Sequence, residues 1–388
     1  MKKAITVAQI FVGVLFIISG IVKGNDPLGL SYKMQEFFEI WNSGLASSGF
    51  FLKGPLINLF QFFHEHSLSL SIIMIALEIM AGAALLIGWK KNFILNLLFV
   101  LIVFFTFLTA YAFLSGKFKN CGCFGDCLPI TPLTSFLKDV VLLGLIVFLI
   151  FGKKYIQPAF TAPVRASFLI SFLVISLGLQ WYALNYLPPV DCLPYKRGNN
   201  IAQQMKIPVG AVPDSFAIRF VYEKEGRQFE FSPEQLPSDL GSYKFVDRID
   251  RLVRKGNAEP PIKGFALIGL SGMDSTEAVL NQSLCFILFC ENLKGETKEW
   301  LPEFKELYKT AQKRGIPVYV ATAVSLPAAT EFFQKAGLSQ IQIFACDNTA
   351  IRTAARTVPT IYLLKQGTVQ KKYSFKGFNT IQEQISFK

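Results

Sequence analysis

The chain has 388 residues, of which 52% are hydrophobic and 17% charged, a composition that excludes a disordered or collagen-like protein and leaves room for two or three domains. Thirty-nine Lys and Arg stand against 27 Asp and Glu, a net charge of +12, and residues 1–187 hold 13 of those basic groups and 7 of the acidic ones. The excess is therefore shared evenly by the two halves. No Lys/Arg block is interleaved with aromatics, so nucleic acid is not an expected partner, and the charge reads as membrane orientation plus a basic surface for anionic partners.

Five apolar runs stand out, 4–22, 68–88, 93–114, 135–151 and 166–187, each long enough to cross a hydrocarbon core of about 30 Å. A purely soluble enzyme is ruled out, and the lipid bilayer is one expected partner of a membrane domain spanning 1–187. Lys2 and Lys3, Lys90 and Lys91, and Lys153, Lys154 and Arg165 mark segments free of acid, which the positive-inside rule places in the cytoplasm. Residues 23–67, 115–134 and everything after about 188 then lie outside, and the expected location is the bacterial inner membrane with the N-terminus cytoplasmic and the C-terminal domain periplasmic. The Met-Lys-Lys start is like a signal peptide, but Ile17-Ile18-Ser19-Gly20 offers no small-x-small cleavage site, so the first run is expected to remain as a span. Met34 to Phe63, rich in Phe and broken by Gly44, Gly49, Gly54 and Pro55, predicts an interfacial helix or a re-entrant lid.

After Pro188-Pro189 the composition turns to that of a soluble protein. Residues 188–283 read as a linker and a small β-containing region, with a hairpin over 214–232. Residues 284–388 alternate strand (285–289), helix (297–314), strand (318–322), helix (328–336), strand (341–344), helix (349–355) and a closing hairpin (360–365 and 369–374), an α/β layer.

The densest chemical signal is Asn120-Cys121-Gly122-Cys123-Phe124-Gly125-Asp126-Cys127, in an outer loop, with Cys192 just beyond the last span on the same side. Thiols outside the cytoplasm are not kept reduced, so such a cluster forms disulfides or exchanges them. Cys121–Cys123 and Cys123–Cys127 are two bonds that cannot coexist, Gly122 and Gly125 permit the tight turns, and Cys192 is placed to receive or resolve a disulfide from the loop. Two rivals stand beside this reading. One is a static staple. The other is a zinc or copper site made by the three thiolates with His64 and His66; Cys-x-Cys-x-x-x-Cys lacks the paired spacing of zinc motifs, so no metal is expected.

Ionisable residues within spans are costly and so draw attention. Glu78 should face the bundle interior, as a packing hydrogen bond or a proton relay. Asp139, beneath the cysteine loop, is a second relay candidate or simply the partner of Lys138. His64 and His66 flank Glu65 at the membrane surface and are solvated residues or proton exchangers beside a redox centre. Gly82, Ala83 and Ala84 permit close contact with another helix, which bears on oligomeric state.

Three stretches carry a resemblance. Ser19-Gly20-Ile21-Val22-Lys23-Gly24-Asn25-Asp26-Pro27-Leu28-Gly29 with Tyr32-Lys33-Met34 resembles the end of the first span in DoxX-type membrane proteins, Glu78 to Gly88 is similar to their second span, and Cys121-Gly-Cys-Phe-Gly resembles the signature of the redox-associated MauE branch. The resemblance covers roughly residues 4–187. It implies a four-helix core, to which this chain adds a fifth span, a role in disulfide formation in an exported partner and, by analogy with other helical thiol oxidoreductases, electron exchange with a membrane quinone. The last 110 residues or so resemble a thioredoxin-like domain: Thr357-Val358-Pro359-Thr360 matches its cis-proline and Asp347 the region upstream. The departure is Phe289-Cys290-Glu291-Asn292-Leu293-Lys294-Gly295-Glu296, which stands where that fold carries Cys-x-x-Cys.

Cys285 and Cys290 fall on opposite faces of a strand and cannot easily bridge. Cys285 reads as a buried small hydrophobe. Cys290 and Cys346 both end strands and form a candidate redox pair, or two inert buried thiols. Two functions remain. In the first, Cys121, Cys123, Cys127 and Cys192 exchange disulfides between periplasmic protein thiols and a quinone, and Pro359 and Thr360, with Cys290 and Cys346 nearby, dock the partner. In the second, a non-enzymatic scaffold uses the thioredoxin-like domain to bind cell-envelope partners and its loop disulfide is structural.

Overall fold

In a computed structural model, residues 1–118, 125, 127, 128, 130–213, 215–254, 256–293 and 297–381 are described. The membrane half comprises α1 (Lys2–Gly24), α2 (Pro27–Ala46), α3 (Lys53–Glu65), α4 (Ser67–Leu86), α5 (Lys91–Ser115), α6 (Pro132–Phe151) and α7 (Ala162–Tyr186). Five of these, α1, α4, α5, α6 and α7, are long and apolar enough to cross a membrane. Helix ends follow capping chemistry rather than hydropathy. Thr131 accepts a hydrogen bond from Thr134 N and Pro132 occupies the first turn, so α6 starts ahead of the apolar run that the sequence marks from Ser135.

The close packing of α1 on α4 explains the small residues. A Cβ added at Gly82 would stand 2.6 Å from the carbonyl oxygen of Gly13, so the two backbones approach as only glycine allows. Gly82 is thus used against α1 of the same chain, and Ala83 and Ala84 are buried within the bundle. Gln9 donates to Leu85 O at 2.7 Å across the same seam.

The Phe-rich segment is two helices in succession, α2 and α3. Asp26 caps α2, accepting from Gly29 N at 2.9 Å, with Pro27 in the first turn. The helices pair through rings, Phe38 with Phe60 at 6.1 Å and Trp41 with Phe60 at 5.3 Å. Phe37 stacks at 4.1 Å on Phe118, the last described residue before the cysteine loop.

The soluble half adds α8 (Ile201–Gln204), a three-stranded sheet of β1 (Ser215–Lys224), β2 (Arg227–Phe231) and β3 (Lys244–Arg254) in the order β2-β1-β3, and α9 (Thr276–Leu280). Asp214, where the expected hairpin begins, lies outside the described residues. The third strand escapes a sequence reading because Asp247, Arg248, Asp250 and Arg251 interrupt its apolar alternation, and its register against β1 shifts at a bulge. The main domain follows: β4 (Cys285–Cys290), α10 (Leu301–Lys313), β5 (Val318–Thr322), α11 (Leu326–Lys335), β6 (Gln342–Ala345), α12 (Asn348–Ala354), β7 (Thr360–Lys365) and β8 (Thr368–Ser374).

Its sheet runs β6-β5-β4-β7-β8, with β4, β5 and β6 parallel and β7 and β8 antiparallel. With the cis Val358–Pro359 peptide leading into β7, this is an α/β domain of thioredoxin-like fold with β6 extending one edge. All six residues of β4 are buried, as a central strand covered on both faces requires. Cys285, Ile287 and Phe289 point into a core that also takes in Tyr195, Ile201, Phe265 and Leu280 from upstream of residue 284. Phe286, Leu288 and Cys290 point the other way, against Phe304 and Leu307 of α10 and Phe333 of α11.

Candidate functional site

The two halves meet where α1, the α5–α6 loop and the chain beyond α7 converge. Cys127 of the loop and Cys192 are joined by a disulfide, 65 residues apart in sequence with Cα atoms 4.9 Å apart, within the range such a bond needs. Both cysteines are half-buried, so solvent reaches the bond. Neither loop pairing read from the sequence is this one. The partner of Cys127 comes from the far side of α7, because the fold carries the end of that helix back to the end of α1. Cys121 and Cys123 lie outside the described residues.

Asn25, at the C-terminal end of α1, organises the junction. Its amide donates to Val190 O at 2.8 Å and accepts from Val190 N at 2.9 Å, fixing the strand of chain that carries Cys192. The same Nδ2 stands 3.8 Å from Cys127 Sγ. Asp191, the neighbour of Cys192, pairs with Lys372 of β8 at 2.8 Å. Burial pushes the Lys372 ammonium below the usual lysine range, with Asp191 opposing the fall.

Beside the disulfide a second contact fastens the thioredoxin-like domain to the membrane half. Asp26 caps α2 with one oxygen and binds Arg356 Nε with the other at 2.7 Å. Both side chains are nearly buried, 7% exposed for Arg356 and 11% for Asp26. Glu291, directly after β4 where the fold family places its dithiol, accepts from Tyr32 Oη of α2 at 2.7 Å and from Arg352 Nε at 2.8 Å. The Arg352 guanidinium also lies 4.7 Å over the Tyr32 ring, a cation–π contact. Burial, reinforced by the Glu291 carboxylate, raises the Tyr32 phenol well above the usual tyrosine range, so it stays protonated as the donor.

The three free cysteines among the described residues, Cys285, Cys290 and Cys346, are buried. Burial raises Cys285 and Cys290 to about 12 and Cys346 to about 11, far from the thiolate that exchange needs. Cys290 and Cys346 do not form a pair: Cys290 belongs to the α10 side of the sheet and Cys346 to the opposite core. Pro359 and Thr360 are buried too, Thr360 with no exposed surface and bound to Thr357 at 2.7 Å. In this arrangement the end of the sheet that the family uses for peptides faces the protein's own α2.

Within the membrane half Glu78 forms a buried ion pair with Lys23 and accepts from Ser19 Oγ at 3.0 Å. Asp139 pairs with Lys138 at 2.6 Å and accepts from Thr109 at 3.1 Å. His64 binds Glu39 at 3.0 Å and His66 binds Phe62 O at 2.9 Å, so both imidazoles are engaged on the α2–α3 hairpin. Among the described residues no three His, Cys, Asp or Glu side chains group as a metal site.

Lys23, Asn25, Asp26 and Tyr32 were legible only as a family-like string, not as a site. Lys23 could have been found from the cost of burying it at the end of a span, which demands a carboxylate partner, and the acid in the second apolar run is Glu78.

A helical membrane half tied by a disulfide to a thioredoxin-like domain defines the class: a membrane protein with apolar N-terminal helices and a soluble C-terminal domain. The family model described as "Methylamine utilisation protein MauE" matches residues 55–152, so the membrane half is of MauE type, and a family described as a domain of unknown function (DUF8463) matches residues 216–255, the three-stranded sheet. A curated relative, "Protein TlpB" of Flavobacterium psychrophilum, is 36% identical over 85 residues, 20% of this chain. The match spans 22% of that relative's length. Among solved structures, a thiol:disulfide interchange protein from Bacteroides sp. is similar at 12% identity, covering 31% of this chain and 86% of that one with a TM-score of 0.27. A thioredoxin family protein from Chlorobium tepidum TLS is similar at 16% identity over 31% and 92%, with a TM-score of 0.25. The fold assignment itself rests on the strand order and the cis-proline above.

Proposed function

We propose that this is a membrane thiol–disulfide exchange protein whose working bond is Cys127–Cys192, passing oxidising equivalents to thiols of an exported protein on the soluble-domain side of the membrane, the periplasm. The observation that carries this is a half-buried disulfide linking Cys192 to the loop that also contains Cys121 and Cys123. A partner thiolate attacks one sulfur to give a mixed disulfide and frees the other; the partner's second thiol then closes its own disulfide. Two electrons and two protons pass to Cys127 and Cys192. The Asn25 amide beside Cys127 Sγ favours the thiolate form as this bond opens. A disulfide between Cys121 and Cys123 then exchanges with the reduced pair, so that the Cys127–Cys192 bond re-forms and Cys121 and Cys123 become thiols. A membrane quinone supplies a two-electron, two-proton acceptor for the thiols that result.

The thioredoxin-like domain does not perform the exchange in this scheme. Its thiols are buried and Glu291 stands in place of the dithiol, while Lys372 of β8 binds Asp191, the neighbour of Cys192. The second reading, a stapled scaffold that recruits envelope proteins, draws on the same ion pairs at the junction. Differential thiol labelling with mass spectrometry, before and after adding oxidised or reduced quinone, separates the two. Exchange requires Cys127 and Cys192 to change state. A bond that stays closed throughout, and whose removal lowers only stability, supports the scaffold and defeats exchange.

A further inference from the structure

A cavity of about 320 Å³ opens between α2, α3, α4 and α5, within the size range of small-molecule sites. Its walls are rings, chiefly Phe37, Phe38, Trp41, Phe60, Phe104 and Phe105. We infer that this cavity holds the ring of a lipid-soluble quinone, with the Lys23 amine at its polar end. The inference deepens the exchange mechanism above and rests on it for the identity of the ligand.

Three observations narrow the occupant. Phe104 lies in the middle of the α5 span and is 41% exposed, so the cavity's rim faces the hydrocarbon and its occupant comes from the bilayer. The packed aromatic walls suit a flat ring, which gains from stacked and edge contacts. The polar end is made of proton-carrying groups: a second, smaller cavity shares Lys23 and Phe105 with the first and is lined by Ser19, Glu78, Lys138 and Asp139. A lipid acyl chain has no use for buried charges that are expensive to keep in a membrane. A ligand that gains two protons with its two electrons does. The Lys23 ammonium, paired with Glu78 and 4.5 Å from the Phe105 centroid, has three donors and is positioned to hydrogen-bond a carbonyl oxygen. Phe37 in its wall stacks on Phe118, which stands three residues ahead of Cys121 in the sequence.

The test uses the full-length protein in lipid nanodiscs, photolabelled with a short-chain azidoquinone, with adducts mapped by peptide and the state of Cys127 and Cys192 read on the same sample. Adducts are expected on the peptides carrying Phe37 to Trp41 and Phe104–Phe105, displaced by decylubiquinone and not by added phospholipid. Tryptophan fluorescence is expected to be quenched saturably by decylubiquinone, and W41F should lose that component. Met74→Phe, which fills the cavity without replacing either partner of the Lys23–Glu78 pair, should weaken binding roughly tenfold. Adducts spread over α7, or saturable quenching that neither variant alters, overturn the site. The thiol readout keeps two failures apart: cavity adducts with an unresponsive Cys127–Cys192 bond uphold the site and defeat the exchange reading, whereas quinone-dependent thiol changes without cavity adducts defeat the site alone.

Discussion

The protein holds cysteines in two settings that differ in nearly every respect that governs thiol chemistry. At the junction, Cys127 and Cys192 are bonded, half-buried and next to a side-chain amide. In the thioredoxin-like domain, Cys285, Cys290 and Cys346 are free, buried among apolar side chains and raised to between about 11 and 12. A fold that ordinarily presents a dithiol at the end of its central strand presents Glu291 there instead, bound to the membrane half through Tyr32. The half-buried disulfide lies at the boundary with the bundle, and the end of the domain's central strand is a docking face against α2.

That contrast can be broken most forcefully at the disulfide. Cys192→Ser opens a loop of 65 residues, worth about 4 kcal/mol if the bond acts by constraining the unfolded chain. Limited proteolysis near residues 188–200 should accelerate while the cores of both halves stay protected. Next comes Arg356→Ala, which strands the Asp26 carboxylate at a nearly dry contact. Leaving a buried charge unpaired costs about 3 kcal/mol, measurable as faster hydrogen exchange at α2 and α12. Lys23→Met should lower the thermal stability of the membrane half by a similar amount by stranding Glu78, and the double variant with Glu78→Gln should recover most of it.

Tyr32→Phe sharpens the comparison at smaller cost, about 1.5 kcal/mol for a hydrogen bond to a charged acceptor. Because the folded phenol is raised above its ordinary value of 10.0, its contribution is fully present below pH 10 and is lost as pH rises further, when the unfolded tyrosine releases its proton first. Alkaline denaturation should therefore be shallower in the Phe variant. His64→Ala, which removes a pair with the exposed Glu39, should change stability by no more than about 0.5 kcal/mol.

Much of the architecture is legible in the sequence because its causes are local. Twenty-residue apolar runs specify spans, and the strand–helix alternation after residue 284 specifies the α/β layer. The cysteine loop and Cys192 announce themselves by residue type. The bond between Cys127 and Cys192 does not, because it depends on how α1 and α7 end beside one another, a tertiary fact with no sequence period. The docking face is hidden for a related reason: Asp26, Tyr32, Glu291 and Arg356 are ordinary polar residues until two halves, some 260 to 330 positions apart, are laid together. The strand Lys244–Arg254 was obscured by charges on both of its faces.

The most direct measurement is site-resolved thiol labelling of the native protein under a graded reductant. The account predicts that Cys127 and Cys192 become labelled together at mild reducing strength and revert on oxidation, while Cys285, Cys290 and Cys346 stay protected until the chain unfolds. A Cys127–Cys192 bond that resists reduction in the folded state, or early labelling of Cys290, would contradict it.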